Sequence, residues 1–163
     1  MERDDLICAT EAAIGAVGHP RFFDTERGFQ GEFHHALRTQ LDQMGVCPAG
    51  SILELEYQKS RRHGVRQRPD IILHAPASLG GSVRADNHAV WALKHRATVR
   101  KAREDFDHLD EMFRELDYPL GFFVNIGSPD PMLQHYAGTY RDRLLGVGVT
   151  HKHGETVIQW SAA

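Results

Sequence analysis

The segment Leu120–Ile126 constrains the fold of this chain most, because it is apolar at nearly every position. It reads Leu-Gly-Phe-Phe-Val-Asn-Ile and follows a stretch with helical periodicity that Pro119 closes. A strand that is apolar on both faces must be covered on both sides, and a helix before it supplies the crossover to a parallel neighbour. We therefore expect an α/β fold in which helices flank a central sheet.

The periodicity of the preceding residues predicts the other core elements. Apolar residues recur at three- and four-residue spacing in two stretches, which indicates two amphipathic helices, and three β-rich runs lie between them. The first helix is predicted to end before Gly45. The predicted elements are a helix at Phe29–Met44, strands at Ile52–Tyr57, Asp70–His74 and His88–Lys94, a helix at Val99–Leu116 and a strand at Leu120–Ile126. This α-β-β-β-α-β order predicts a mixed sheet, with three largely antiparallel strands beside one parallel neighbour.

The two ends of the chain are expected to add peripheral elements. We predict a helix over Leu6–Val17, a short helix within residues 131–143, and a hairpin that turns near His153-Gly154. The two strands of that hairpin are Leu144–Thr150 and Thr156–Trp160.

The size and composition indicate one globular domain over residues 1–163. Hydrophobic residues make up 41% and charged residues 25%, and no apolar run approaches the roughly 20 residues that span a bilayer. The first residues lack the apolar stretch of a secretory signal. Cys8 and Cys47 form neither a disulfide framework nor a paired-cysteine zinc spacing. We expect a cytoplasmic protein with reduced thiols and no membrane partner.

The net charge of −3 argues against a protein that coats nucleic acid by bulk electrostatics. Two local clusters, Lys59–Arg68 and Lys94–Arg103, are nevertheless basic. They are either contacts to a polyanion or a solvated loop and the wet face of a helix. The residues that we expect to contact nucleic acid are Arg61, Arg62, Arg66, Arg68 and Arg96.

A candidate catalytic constellation lies on the second and third predicted strands. Period two places Val90, Ala92 and Lys94 on one side of their strand, and Asp70 opens the preceding strand. Phosphodiester hydrolysis uses an acid that holds a divalent cation and an amine that offsets developing charge. Since Mg²⁺ is commonly bound through one or two carboxylates, a second acid at position 92 would complete such a site. Position 92 is alanine.

These residues resemble the PD-(D/E)XK nuclease superfamily, in which Pro-Asp begins one strand and (Asp/Glu)-x-Lys lies on the next. Pro69-Asp70 matches the first part, Ala92-Leu93-Lys94 matches the second except at its acid, and Glu32 matches the helical glutamate of the family. The resemblance implies a restriction-endonuclease-like core and a nuclease that uses Mg²⁺ or Mn²⁺, with DNA as the expected substrate. It implies that Asp70, the backbone carbonyl of Leu93 and Glu32 serve the metal, and that Lys94 is the catalytic amine.

Three explanations of Ala92 stay open at this point. An engineered substitution is favoured, because the rest of the signature is intact. Natural degeneration into a nucleic-acid-binding or assembly module without cleavage is the second. The third is migration of the acid, for example to Glu104 or Glu56. The chain as written is expected to be an inactive or impaired nuclease that acts as a homodimer or within a larger complex, for example in bacterial defence.

Overall fold

A computed structural model describes residues 1–55, 69–76 and 86–161 of the chain. Its helices are α1 (Arg3–Ala16), α2 (Glu26–Met44) and α3 (Val99–Leu116). Its strands are β1 (Ile52–Leu55), β2 (Ile71–His74), β3 (Asn87–His95), β4 (Gly121–Ile126), β5 (Leu144–Lys152) and β6 (Glu155–Ser161). Short 3₁₀ turns occur at Pro20–Asp24, Leu133–His135 and Arg141–Arg143.

The six strands form one mixed sheet in the order β1-β2-β3-β4-β5-β6. β1, β2 and β3 are antiparallel neighbours, β4 is parallel to both β3 and β5, and β6 returns antiparallel to β5. α3 is the crossover between the parallel strands β3 and β4. The α/β class, the mixed sheet and the α-β-β-β-α-β order of the core elements are therefore confirmed.

The two faces of the sheet bury separate apolar cores because alternate strand residues point to opposite sides. On one face, α1 and α2 cover a core that contains Phe29, Phe33, Trp91 and Phe122. Trp91 stacks on Phe122 with ring centroids 5.2 Å apart. Its indole N–H donates a 3.2 Å hydrogen bond to the Thr10 hydroxyl, which ties α1 to the middle of the sheet.

The second core lies between the other face and α3. Phe106 of α3 packs on Phe123 of β4, with ring centroids 4.9 Å apart. The same face of β4 ends in a polar residue, Asn125, which is fully buried. Its side-chain oxygen accepts a 2.9 Å hydrogen bond from the N–H of Ala97, and its amide donates one of 2.8 Å to the carbonyl of Asp130. Asn125 thereby holds the loops at the carboxyl ends of β3 and β4 together.

The boundaries of the helices differ from the sequence predictions where a cap or a chain reversal decides them. α2 begins at Glu26, one turn before Phe29, because the Thr25 hydroxyl caps it by accepting a 3.1 Å hydrogen bond from the N–H of Gly28. α1 begins at Arg3 rather than Leu6. The predicted strand Ile52–Tyr57 is observed up to Leu55, and the two residues after it lie outside the described ranges.

The predicted helix within residues 131–143 is wrong. Only the two 3₁₀ turns form there, because the segment follows the surface of β5 as an irregular loop. A Cβ on Gly148 would lie 2.2 Å from the carbonyl oxygen of Pro129, and one on Gly146 would lie 2.6 Å from that of Pro131. β5 is correspondingly an interior strand that is buried over Leu144–Thr150, and not the peripheral strand that we expected. None of the helices in the described ranges is long and apolar enough to cross a membrane.

Candidate active site

Asp70 lies at the start of β2, where its side chain continues the hydrogen-bond ladder with β3. The last residue pair at this end of the two strands is Ile71 with Trp91. Beyond it, Oδ2 of Asp70 accepts a 2.7 Å hydrogen bond from the backbone N–H of Leu93. The Asp70 carbonyl accepts a 3.1 Å bond from the side-chain amide of Gln30 on α2. Asp70 is therefore fixed where β2, β3 and α2 meet.

The backbone of Leu93 faces Asp70 with both of its polar groups. The N–H and the C=O of one strand residue point to the same side of the strand. Because the N–H of Leu93 points towards Asp70, its carbonyl oxygen also points to that side, next to the end of β2.

Lys94 follows on β3, and its ammonium lies between two helices. Nζ is 3.5 Å from Oε2 of Glu26 on α2 and 3.5 Å from Oδ2 of Asp105 on α3. The side chain is 22% exposed. Lys94 also lies close enough to Asp70 to shift the pKa of its carboxyl group. The structure thus brings Asp70 and Lys94 to the same end of two neighbouring strands.

Ala92 lines a pocket between the sheet and α3. The pocket has a volume of about 40 Å³, and Asp70, Asp105 and His108 contribute its polar walls. Since about 10–15 Å³ suffices for one water molecule, the pocket has room for water or for a small ion without its full hydration shell. Ala92 and Lys94 share one face of β3, so a longer side chain at position 92 would enter this space.

The helical acid beside Lys94 is Glu26 and not the residue that the sequence suggested. Glu32 is exposed on α2, and the acids that act on the pKa of Asp70 are Glu26 and Asp105. Oε2 of Glu26 also accepts a 3.2 Å hydrogen bond from the backbone N–H of His95. One turn of α2 separates Glu26 from Gln30, so the same face of the helix directs Glu26 to the end of β3 and Gln30 to Asp70 at the start of β2.

On α3, the acid in the pocket is Asp105. Glu104, one residue earlier, is exposed and pairs with Arg100 on the helix surface. Oδ1 of Asp105 lies 4.0 Å from Nδ1 of His108. Its Oδ2 is buried and faces the Lys94 ammonium at 3.5 Å, but it makes no hydrogen bond of normal geometry within the described ranges. The other suggested position for a migrated acid, Glu56, lies outside those ranges.

Burial dominates the electrostatics of the site. It raises the pKa of Asp70 from 3.8 to about 6, against the hydrogen bond from Leu93 and the positive charge of Lys94. It also raises the pKa of Asp105, although Lys94 and His108 oppose the shift. Burial would lower the pKa of Lys94, but the carboxylates of Asp105, Glu26 and Asp70 outweigh it and raise that pKa. The amine therefore stays protonated at neutral pH, whereas the raised pKa values of Asp70 and Asp105 disfavour ionisation of these two carboxyl groups.

One of the five basic residues proposed to contact nucleic acid lies in the described ranges. Arg96 is exposed directly after β3, and its backbone N–H donates a 2.8 Å hydrogen bond to the carbonyl of Ile126. Its φ of 46° lies in the left-handed region, and its side chain lies across Gly127. Arg96 thus lies two residues after Lys94, against the turn that follows β4. The other four, Arg61, Arg62, Arg66 and Arg68, lie outside the described ranges.

Sequence reasoning missed Glu26 and Asp105, although each leaves a signal. Thr25 is a favourable N-cap residue, and a helix that starts there has Glu26 in its first turn, one turn before Gln30. Asp105 falls on the predicted buried stripe of α3, three residues after Ala102 and four before Leu109. An acid on such a stripe indicates a polar site or a buried ion pair.

The residues of the pocket fit a small divalent cation. In the described ranges, no group of three or more His, Cys, Asp or Glu side chains is arranged to hold a metal ion. Mg²⁺, however, commonly uses one or two carboxylates and completes its octahedron with water and phosphate oxygens. Asp70 and Asp105 line the same pocket, and within the ranges above the buried Oδ2 of Asp105 has only the long, 3.5 Å contact with Lys94 and no hydrogen bond of normal geometry.

No protein-family model, curated protein or solved structure matches this chain. The resemblance to the PD-(D/E)XK nucleases therefore stays a prediction from the motif.

Proposed function

We propose that this chain is a metal-dependent nuclease on a restriction-endonuclease-like core, with DNA as its expected substrate. The observation that carries the proposal is the hydrogen bond from the Leu93 N–H to Asp70. It ties the acid of one strand to the neighbouring strand one residue before Lys94, at the mouth of a pocket. The order of α2, β1, β2, β3, α3 and β4 supports the same proposal, because it matches the core expected of such nucleases.

Asp70 and the carbonyl of Leu93 are the proposed ligands of Mg²⁺ or Mn²⁺. When bound, the ion supplies a charge that polarises the phosphate and lowers the pKa of a water molecule. In the hydrolysis, the oxygen of water bonds to phosphorus, one P–O ester bond breaks, and the leaving oxygen takes a proton. The products are a phosphate monoester and an alcohol.

Lys94 is the proposed catalytic amine. Its raised pKa keeps it charged, so it can stabilise negative charge that develops on the phosphate oxygens. Glu26 and Asp105 each lie 3.5 Å from its ammonium and hold it at the pocket. In this proposal Glu26 takes the part that the sequence assigned to Glu32, because Glu26 is the helical acid that contacts the amine.

The test is a cleavage assay on plasmid, single-stranded DNA and RNA with Mg²⁺, Mn²⁺ or a chelator. The chain as written and its Ala92→Glu form are each compared with versions that also carry Asp70→Asn or Lys94→Met. We expect divalent-dependent cleavage that each added substitution lowers by at least about 100-fold, the loss typical of a removed charge-stabilising group. The matched control is Asp107→Asn, which changes an exposed acid on α3 and should leave the rate unchanged.

Two outcomes would contradict the nuclease proposal. Cleavage that survives Asp70→Asn would place the activity elsewhere, for example in a contaminating nuclease. Failure of both the chain as written and its Ala92→Glu form on all three substrates would exclude the assigned reaction.

A second candidate function is nucleic-acid binding without cleavage. Two observations favour it, namely the alanine at position 92 and the pairing of Lys94 with two carboxylates. This candidate predicts DNA or RNA binding that persists in chelator and weakens steeply with salt. Binding that requires a divalent ion would favour the nuclease instead.

A further inference from the structure

We infer that Asp105, which lies outside the motif, supplies the second carboxylate of the divalent-cation site in place of position 92. This inference rests on the proposed function, because it assigns a ligand to the same pocket. It also explains how the chain can do without an acid in its motif.

The first argument is geometric. Asp105 of α3, Ala92 of β3 and Asp70 all line the same pocket. Ala92 has only a methyl group, so the space that an acid on β3 would fill is left to a side chain from α3. Asp105 is 17% exposed and reaches Lys94 from that side.

The second argument concerns a carboxylate oxygen whose bonding is incomplete. Oδ2 of Asp105 is buried, and in the described part of the chain it makes no hydrogen bond of normal geometry. It faces the ammonium of Lys94 at 3.5 Å, a long ion pair that leaves the oxygen able to accept further contacts. A bound cation or its water ligands would supply them.

The third argument is the balance of charge. Three carboxylates, Asp70, Asp105 and Glu26, interact electrostatically with a single amine, Lys94. With every group ionised, the cluster carries two uncompensated negative charges. Desolvation makes such an excess unfavourable, and a divalent cation would neutralise it.

The experiment is a calorimetric titration with Mn²⁺ alone, at slightly alkaline pH, on four forms of the full chain. They are the chain as written, Asp105→Asn, the double variant Ala92→Glu with Asp105→Asn, and the control Asp107→Asn. We expect Asp105→Asn to weaken Mn²⁺ binding by at least about tenfold. The double variant should regain Mn²⁺ affinity, since it has an acid at position 92 of β3. The control should bind Mn²⁺ like the chain as written. Melting curves in chelator check that each variant is folded.

Mn²⁺ binding by Asp105→Asn that equals that of the chain as written would overturn the inference. So would a chain that binds no Mn²⁺ until Ala92→Glu is introduced. The cleavage assay on the same variants separates the two proposals. If Mn²⁺ binding depends on Asp105 but no form cleaves any substrate, the role of Asp105 is supported and the nuclease proposal is contradicted. Cleavage by the Ala92→Glu form alone, with no Mn²⁺ bound by the chain as written, would support the nuclease and contradict the role of Asp105.

Discussion

At the scale of single residues, the carboxyl group of Asp70 both joins two strands and lines the candidate site. Its oxygen replaces a backbone carbonyl as the acceptor for the N–H of Leu93. The same location removes it from water and raises its pKa to about 6. The ionised form is therefore destabilised in the folded protein without a cation, and a cation would stabilise it.

We predict that Asp70→Asn stabilises the metal-free protein at neutral pH. The pKa of Asp70 in the folded state, about 6, lies above its ordinary value of 3.8. The folded state therefore holds more protons between these values, and stability falls as the pH rises through them. At about 1.4 kcal/mol per pH unit, the loss is up to about 3 kcal/mol above pH ~6.

The measurement is the free energy of unfolding by urea in chelator, from about pH 4 to about pH 7. Asp70→Asn should flatten its decline with pH, although Asp105 contributes a decline of the same sign. Asp107→Asn is the control, because that acid is exposed on α3. An unchanged pH dependence in Asp70→Asn would show that the carboxyl group is already ionised at low pH in the folded protein.

At the scale of secondary-structure elements, the site depends on where two helices begin and which residues they direct inwards. α2 begins at Glu26 and therefore presents Glu26 to the end of β3 and Gln30 to the start of β2. α3 directs Asp105 into the pocket and leaves Glu104 in solvent. A shift of either helix by one residue would rotate these side chains by about 100° and dismantle the cluster.

We predict that Thr25→Ala lowers the free energy of unfolding by about 1 kcal/mol, because the N–H of Gly28 loses its acceptor at the start of α2. Thr25→Ser, which keeps the hydroxyl, should be close to the parent. Thr39→Ala is the control in the same helix, because the Thr39 hydroxyl only donates to the carbonyl of His35 in the preceding turn. Its effect should stay within about 0.5 kcal/mol. Denaturant unfolding of the three variants checks this, and equal losses in Thr25→Ala and Thr39→Ala would contradict the cap.

At the scale of the whole molecule, charge is distributed unevenly over a chain whose net charge is only −3. The candidate site combines three carboxylates with Lys94, while Arg96 is exposed two residues after Lys94 in the chain. A polyanion would therefore meet local cations and not a basic surface. Association with nucleic acid must then depend on a few phosphate contacts, each of which salt weakens.

We predict that Arg96→Gly weakens DNA binding and lowers the slope of log affinity against log salt by about 1, the amount expected for one phosphate contact. Glycine is the appropriate replacement, because it adopts the φ of 46° observed at this position without strain. The control is Arg38→Ala, since Arg38 is exposed on α2 twelve residues, or about 18 Å, from Glu26. Fluorescence anisotropy with a labelled duplex at several salt concentrations gives the slopes. Equal slopes for Arg96→Gly and the parent would exclude a phosphate contact.

Much of this fold could be predicted from the sequence, because the residues of a helix or strand that face a core recur at a regular spacing. The alternation of apolar residues located β3, the stripe of α3 located the crossover helix, and the doubly apolar Leu120–Ile126 located a central strand. The proximity of Asp70 and Lys94 could be predicted in the same way. Asp70 begins one strand and Lys94 lies near the end of the next, so the two residues lie at the same end of the sheet if the strands are antiparallel neighbours. Functional polar residues follow no such spacing, so only the motif, and no periodicity, indicated Glu32 as the helical acid of the site.

The tertiary structure alone decided which acids join that pair. Glu26 and Asp105 reach Lys94 from helices on opposite faces of the sheet, and the period of one element does not specify which side chains of another element it will contact. The tertiary structure likewise decided that residues 131–143 form a loop. Gly146 and Gly148 of β5 have no side chains, and the backbone of Pro129 and Pro131 packs directly against them. Local periodicity determines how each segment pairs or coils, whereas the angles and registers at which segments pack determine where their charged side chains converge.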